Sequence, residues 1–577
     1  MSVVVARTSG FCWGVRRAVD MVLAEIKKGR GPFLVFGPLV HNPQVLGALE
    51  ERGVGMSMDP SDAEGGTLFI RTHGITLEER ASVERPGVSV RDLTCPRVGR
   101  ALALARSRSR EGYEVVILGD EGHQEVRAIR SYAGGEKAFV ISGPGDAEDL
   151  PRLSKPFLMT QTTQDSEVFE AVLEVMRRRF PALEWESTIC ESTGMRQNEL
   201  RRLLPKADCV VVVGGRESAN TARLASIARE AGLPVFQVES QDELDPKTLK
   251  GFRKVVLTAG ASTPSWVIRR VRGRLLELQG ENVGRALGAV RTMVLGNFHV
   301  LPAAVAMGAA SAVVVGNAAW MPAILSGALA LFALQGLHTV LEAGFSPTPG
   351  EERRAFVVRR RNPLTISYFS ALALSVVLSA FLPPLWGAFL AGAVGLFAAY
   401  SLPLLHSSGA PPSGVRSVPG SRDLLFSSSW ALLVCIVPYL TLGGPAGPPA
   451  VAIWSLQLVL LLMGRSLLLD LVDLQGDAML GRDTIPLTLG RRRSEALFWT
   501  CAALPVILVA FGFARGLLPA PGLGSFAGSL WLAAGYRLLI RNPFPSELSA
   551  RLAADGSLFA AGIVPFLASI IFEARVF

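Results

Sequence analysis

Cys12 in SGFCWGV, Cys95 in DLTCPRV and Cys190 in STICEST recur at roughly even intervals through the first half of the 577-residue chain. Each follows a short β-rich run and precedes a helical one. Three similar α/β lobes that each lend one thiolate to a common centre suit an iron–sulfur cluster with one iron left open for substrate. Spacing alone leaves a second option, three buried structural cysteines. Cys209, in the apolar run CVVVV, reads as core, as do Cys435 and Cys501 in apolar segments of the second half.

The histidines narrow the choice. Of six in the chain, the first half holds three: His41 in LVHNP, His73 in RTHGIT and His123 in EGHQEV. All three fall between a strand pattern and a helix pattern, which points to a shared polar cavity. Glu125, two residues after His123, offers a carboxylate that can carry protons. Thr162 and Thr163 in MTQTTQ, Ser218 and Asn220 in RESANTA, and Ser262 in TAGASTP offer neutral donors. Neutral donors, helix N-termini and histidines together fit a diphosphate.

These residues need elements to hold them. Segments such as FLVFGPLVHNPQVLGALEERG and EVVILGDEGHQEVRAIRSYA repeat one unit: apolar strand, polar loop, amphipathic helix. That alternation predicts parallel α/β sheets covered on both faces, with ligands gathering where strand ends meet helix starts.

Composition divides the chain. Beyond Leu295 come apolar stretches such as LPAAVAMGAASAVVVG, and about nine membrane segments are expected, starting near residues 295, 318, 364, 385, 424, 449, 495, 526 and 553. A soluble domain over 1–280, a basic, helix-like linker over 281–294 and a membrane domain over 295–577 follow. MSVVVARTSG lacks the pattern of a signal peptide, so the first domain is expected in the cytosol. The loops EERRAFVVRRR, VRSVPGSR, GRDTIPLTLGRRR and RNPFPSELSAR then fall on the cytosolic side, while the opposite loops carry a single arginine. This predicts a multi-pass protein of the cytoplasmic membrane. The net charge of +9 is assigned to topology and lipid headgroups, not to nucleic acid. Six scattered cysteines do not make a disulfide framework.

In the second half, RSLLLDLVDLQGDAMLGRDTIPLTLG places Asp470, Asp473 and Asp477 at i, i+3 and i+7, on one face if the segment is one helix. Carboxylates so clustered at a membrane end repel one another unless a cation joins them, and Mg²⁺ bridging to a diphosphate is the simplest reason for them. The alternative is a solvated acidic helix end.

GFCWGV, LVHNP, THG, TCP, GHQEV, TQTT, RESAN and TAGAS occur in the order and spacing of the LytB/IspH reductases, which residues 1–280 resemble. The resemblance implies a 4Fe–4S cluster on Cys12, Cys95 and Cys190, whose fourth iron takes the substrate hydroxyl. It implies His41, His73, Ser218, Asn220 and Ser262 on the diphosphate, with His123, Glu125 and Thr162 positioning the hydroxyl and relaying protons. The implied activity reduces 4-hydroxy-3-methylbut-2-enyl diphosphate, a small allylic diphosphate, to isopentenyl and dimethylallyl diphosphates. A ferredoxin or flavodoxin would supply single electrons. Two departures stand out: Ala219 where the family has a second serine, and Met195 where an asparagine is common.

Residues 290–577 resemble the UbiA-type intramembrane prenyltransferases through the aspartate segment, the span count and the loop VRSVPGSRD. That resemblance implies Mg²⁺ on Asp470, Asp473 and Asp477, and Arg416 and Arg422 facing the diphosphate. The first motif of that family, an asparagine and two aspartates at four-residue steps, is here His338, Glu342 and Ser346, so Glu342 alone would serve the opposite Mg²⁺. The expected whole is a reductase fused to a prenyl-transfer domain. Its rivals are a membrane-tethered reductase with a non-catalytic anchor or lipid-binding half, and a cluster-bearing electron carrier.

Overall fold

The structure, a computed structural model, describes residues 2–573 except 30, 85, 250, 278–280, 346–351, 402–417, 419, 481–483 and 543. Backbone contacts divide the chain into two compact units, Met1–Gln279 and Gly280–Phe577.

The first unit contains twelve strands among its described residues: β1 Ser2–Val5, β2 Phe33–Phe36, β3 Val54–Ser57, β4 Thr67–Ile70, β5 Ser89–Asp92, β6 Glu114–Leu118, β7 Phe139–Ile141, β8 Pro156–Thr160, β9 Glu184–Glu186, β10 Cys209–Val213, β11 Val235–Val238 and β12 Lys254–Ala259. They form three four-stranded sheets, ordered β1-β12-β10-β11, β5-β4-β2-β3 and β9-β8-β6-β7. Every pairing is parallel. Parallel pairing follows from the helix between successive strands, which returns the chain to the same sheet end. The inner strands read as continuous apolar runs because both faces are covered; all five residues of β10 are buried.

The three sheets are written on one plan. An edge strand (β1, β5 or β9) leads into a cysteine that starts a helix. The next strand inward (β12, β4 or β8) ends in a loop bearing Ser262, His73 or Thr162. The third strand (β10, β2 or β6) ends in a loop whose last residue caps the following helix: Ser218, Asn42 or His123. The first sheet pairs the first strand of this unit with its last, as β1 lies beside β12.

The second unit is helical. Among the described residues eight helices are long and apolar enough to cross a membrane, or nine if Gly288–Leu295 and Val300–Val314, bent by 67°, make one span. The bend falls at Asn297, whose φ is 59°. The basic segment 281–294 is itself helical, within Glu281–Leu295. Two of the buried core tryptophans spend their indole N–H groups locally: Trp386 donates to Ser326 Oγ (3.1 Å) and Trp454 to Ser311 Oγ (2.9 Å). Without water, such donors need partners inside the bundle.

Candidate functional site

Cys12, Cys95 and Cys190 each occupy the N-cap position of a helix, Trp13–Lys27, Pro96–Arg110 and Glu191–Leu203. Each also donates its backbone N–H to the loop of the neighbouring strand. Cys12 bonds Ala261 O (3.0 Å), Cys95 bonds Thr72 O (3.0 Å) and Cys190 bonds Thr162 O (2.9 Å). One hydrogen bond per sheet therefore ties a thiol to the polar loop beside it. The thiols approach one another across sheets. A Cβ on Gly14, two residues after Cys12, would stand 2.6 Å from Cys95 Sγ and 3.8 Å from Cys12 Sγ, so only glycine leaves room for the second lobe's thiol. Burial pushes the Cys95 thiol up, and the fields of Cys12 and Cys190 push it the same way. All six cysteines are free; Cys209 is buried in β10, and burial raises its thiol to about 11. Three thiols of this kind, half-buried and mutually close, fit an iron–sulfur cluster bound at a central site.

Beside them three imidazoles converge. Ring centroids lie 4.6 Å apart for His41 and His73, 5.8 Å for His41 and His123, and 5.6 Å for His73 and His123. Burial lowers the pKa of all three, His123 to about 4, which favours neutral imidazoles near neutral pH. Arg71, buried and held bidentate by Glu79 at 3.0 Å, adds a lowering field to His41 and His73. Glu125 shows the opposite shift. Burial pushes its carboxyl up to about 7, although Thr162 donates to it from backbone N (2.6 Å) and Oγ1 (2.9 Å). A carboxyl poised near neutrality is suited to deliver a proton.

The remaining residues approach from the first sheet. A Cβ on Gly215 would meet His41 O at 2.3 Å, which brings the RESAN loop directly onto the His41 loop. Ser262 Oγ donates to His41 O at 3.3 Å. Ser218 Oγ accepts from Thr221 N (3.4 Å), so it caps its helix as well as facing the loop junction. Asn220 is buried, and neither its Oδ1 nor its Nδ2 has a hydrogen-bond partner within the protein. The same holds for His41 Nδ1 and Nε2 and for His73 Nδ1. Each such group costs about 1–3 kcal/mol if left unpaired, so a buried set of them marks a place built for a polar ligand. Thr163 Oγ1 accepts from Gln161 Nε2 (2.9 Å), and Gln161 Oε1 in turn accepts from Asp120 N (2.9 Å).

Sequence reading missed three residues here. Gln161 joins the loops after β8 and β6, and nothing local distinguishes it from a surface glutamine. Arg71 stands two residues before His73, which is the only local hint. Arg196, six residues after Cys190, is buried beside the thiols of Cys12 and Cys190.

In the second unit the aspartate segment departs from expectation. Helix Pro448–Val472 stops at Asp473, whose φ and ψ are −119° and 31°, and a separate helix, Leu474–Leu480, follows. Asp470, Asp473 and Asp477 therefore do not share one continuous helix face; a break intervenes and the spacing rule lapses. Asp470 and Asp477 are both buried. Arg422 Nη2 donates to Asp470 Oδ1 (3.1 Å) and its Nε to Asp423 Oδ1 (3.4 Å). Asp423, only 4% exposed, is a further carboxylate that the sequence reading passed over within the loop it quoted. His338 Nδ1 meets Ser401 Oγ at 3.1 Å, and Glu342 is half-buried on the same helix, Met321–Phe345. Arg416 and Ser346 lie outside the described residues.

The first unit is thus a three-sheet parallel α/β protein in which three thiols and three imidazoles gather at the strand-to-helix junctions. The chain belongs to the LytB family, whose model matches residues 3–276. A 4-hydroxy-3-methylbut-2-enyl diphosphate reductase from Geobacter sp. (strain M21) is 40% identical over 284 residues, 49% of this chain and 100% of that one. Another from Anaeromyxobacter sp. (strain Fw109-5) is 42% identical over 276 residues, 48% of this chain and 97% of its own. A digeranylgeranylglyceryl phosphate synthase structure aligns over 49% of this chain and 97% of its own at 15% identity and TM-score 0.31.

Proposed function

We propose that residues 1–280 reduce (E)-4-hydroxy-3-methylbut-2-enyl diphosphate to isopentenyl and dimethylallyl diphosphates. Two electrons and two protons enter, and the hydroxyl leaves as water. One observation carries this reading: Cys190 N donates to Thr162 O, so one of the three cysteines lies beside the Thr162–Glu125 pair. A 4Fe–4S cluster held by Cys12, Cys95 and Cys190, when bound, supplies electrons one at a time and an open iron. Everything else is the work of this chain's side chains. His41, His73, Asn220, Ser218 and Ser262 hold the diphosphate through buried polar atoms, several of which lack partners in the protein. Glu125 supplies a proton toward the departing hydroxyl, with Thr162 fixing its carboxyl and His123 and Thr163 orienting the hydroxyl end. A ferredoxin or flavodoxin is the matching one-electron donor.

For residues 295–577, joined through the basic segment 281–294, the reading is a UbiA-like prenyl-transfer domain in the cytoplasmic membrane, with the reductase on the cytosolic side. The donor chemistry fits Mg²⁺: Asp470, Asp473 and Asp477 offer hard carboxylate oxygens, Arg422 pairs with Asp470, and Glu342 is the remaining acidic group of the first motif. A non-catalytic anchor or lipid-binding half is the second reading. It is favoured by Arg422, which already compensates Asp470 and Asp423.

Anaerobic purification with iron and sulfide analysis tests the first reading, followed by incubation with the hydroxylated diphosphate and a low-potential donor. Formation of both five-carbon products is expected; a fully loaded protein that forms neither refutes it. Transfer of a labelled farnesyl or geranylgeranyl chain in membranes tests the second unit.

A further inference from the structure

Arg196 lies on the helix that Cys190 starts, and it is only 4% exposed. Its Nη1 donates to Ser192 O (2.8 Å) and to Ser192 Oγ, while its Nη2 donates to Gly10 O (2.5 Å). One guanidinium thereby clamps the Cys190 helix to the loop that delivers Cys12. Its Nε is buried and has no hydrogen-bond partner within the protein. Among the described residues the acceptors of Arg196 are two carbonyls and a hydroxyl, with no carboxylate among them. Glu199, one turn on, is spent on Thr8 N (2.8 Å), Thr8 Oγ1 (2.6 Å) and Arg7 N (2.9 Å).

A cation taken from water into such a place is costly unless an anion lies in its field. Its bonds to Gly10 and Ser192 hold the guanidinium two residues from Cys12 and from Cys190, whose thiols act on it more strongly than Glu199 does. A four-iron cluster on three thiolates carries net negative charge, and reduction adds more. Cluster potentials respond to net charge and to hydrogen bonds on sulfur. A fixed buried guanidinium therefore favours the reduced form, and its spare N–H suits a sulfur acceptor.

Building on the cluster assignment above, we propose that Arg196 is a positioning residue that sets the cluster's reduction potential, through its buried charge and its Nε–H, while joining the Cys12 and Cys190 lobes. Arginine suits both tasks, because its planar fork can bind two carbonyl groups and still present a third donor edge.

The test is an anaerobic potentiometric titration of the loaded full-length protein, followed by electron paramagnetic resonance of the reduced cluster. Arg196→Gln should lower the reduction equilibrium at least tenfold, about 59 mV more negative for one electron. Arg196→Lys retains the charge and should shift much less. Thr8→Val loosens the Glu199 tether without changing any charge, and its potential should match wild type. A loaded Arg196→Gln protein at the wild-type potential overturns the proposal. If that variant fails to hold iron, Arg196→Lys decides: a loaded cluster near the wild-type potential upholds the proposal, and a shift of tenfold or more overturns it. Loss of iron from both variants also overturns it, making Arg196 an assembly residue only. A wild-type protein without iron and sulfide would instead refute the cluster itself, and a loaded but inactive one would refute the substrate assignment while leaving the potential measurable.

Discussion

In the N-terminal unit the buried carboxyl of Glu125 is met only by neutral donors, the backbone N and Oγ1 of Thr162. In the C-terminal unit the buried carboxyls of Asp470 and Asp423 are met by the guanidinium of Arg422. Both units bury acids at a site read as binding a diphosphate, yet the surroundings fit them for different work. Neutral donors with burial let a carboxyl keep a proton near neutral pH, as the rise of Glu125 to about 7 shows. A carboxyl paired with a cation is instead arranged for charge, and a second cation such as Mg²⁺ must displace or join the first. An acid poised to give up a proton and an acid poised to hold a metal are thus told apart by their partners, not by their burial.

The comparison is broken most completely at the thiols, because a cluster on three cysteines has none to spare. Cys12→Ser, Cys95→Ser and Cys190→Ser should each abolish the oxygen-sensitive absorbance and the bound iron, whereas Cys209→Ser should keep both. Equal iron in all four variants would overturn the ligand assignment.

Next in size is the proton of Glu125. Glu125→Gln preserves shape and hydrogen bonding but has no acidic proton. Turnover should fall by roughly 10²–10⁴-fold, with iron content unchanged. In the wild type, turnover should also decline as pH rises through about 7, where Glu125 loses its proton. A variant with near-normal turnover moves the acid elsewhere, with His123 next in line.

On the other side of the comparison, Asp473→Ala combined with Asp477→Ala should abolish prenyl transfer in membranes if the second unit is a transferase. If wild type transfers nothing while the double variant alone loses diphosphate binding, the anchor reading stands.

The smallest expected effect is on stability. Glu125 titrates at about 7 folded and near 4.5 unfolded, so the unfolded chain loses its proton first. Its contribution is full below pH 4.5 and is lost as pH rises to about 7. His123, lowered from 6.5 to about 4, acts oppositely: its contribution is present above 6.5 and is lost as pH falls toward 4. Denaturant titrations of wild type and Glu125→Gln should therefore diverge between pH 4.5 and 7, with the wild type losing ground as pH rises. Parallel pH profiles would show that Glu125 titrates normally.

The sequence alone established the parallel α/β character of the first unit, since each apolar run followed by a polar loop and an amphipathic helix is a local pattern set by residues close in the chain. It also singled out Cys12, Cys95, Cys190, His41, His73 and His123, because cysteine and histidine are rare here and each of these falls at a strand-to-helix junction, and Glu125, because it lies two residues after His123. The apolar stretches of the second unit were legible for the same local reason. What only the tertiary structure decided are the contacts between distant junctions. These are the three cysteine N–H bonds to neighbouring loops, the convergence of three histidines from two sheets, and the capture of Gly10 O by Arg196. In the second unit they are the break at Asp473 and the Arg422 bridge between Asp423 and Asp470. Periodicity within one element reports which face is apolar. It carries no information on which loop a buried donor will meet, because that partner is brought in by packing of elements tens to hundreds of residues apart.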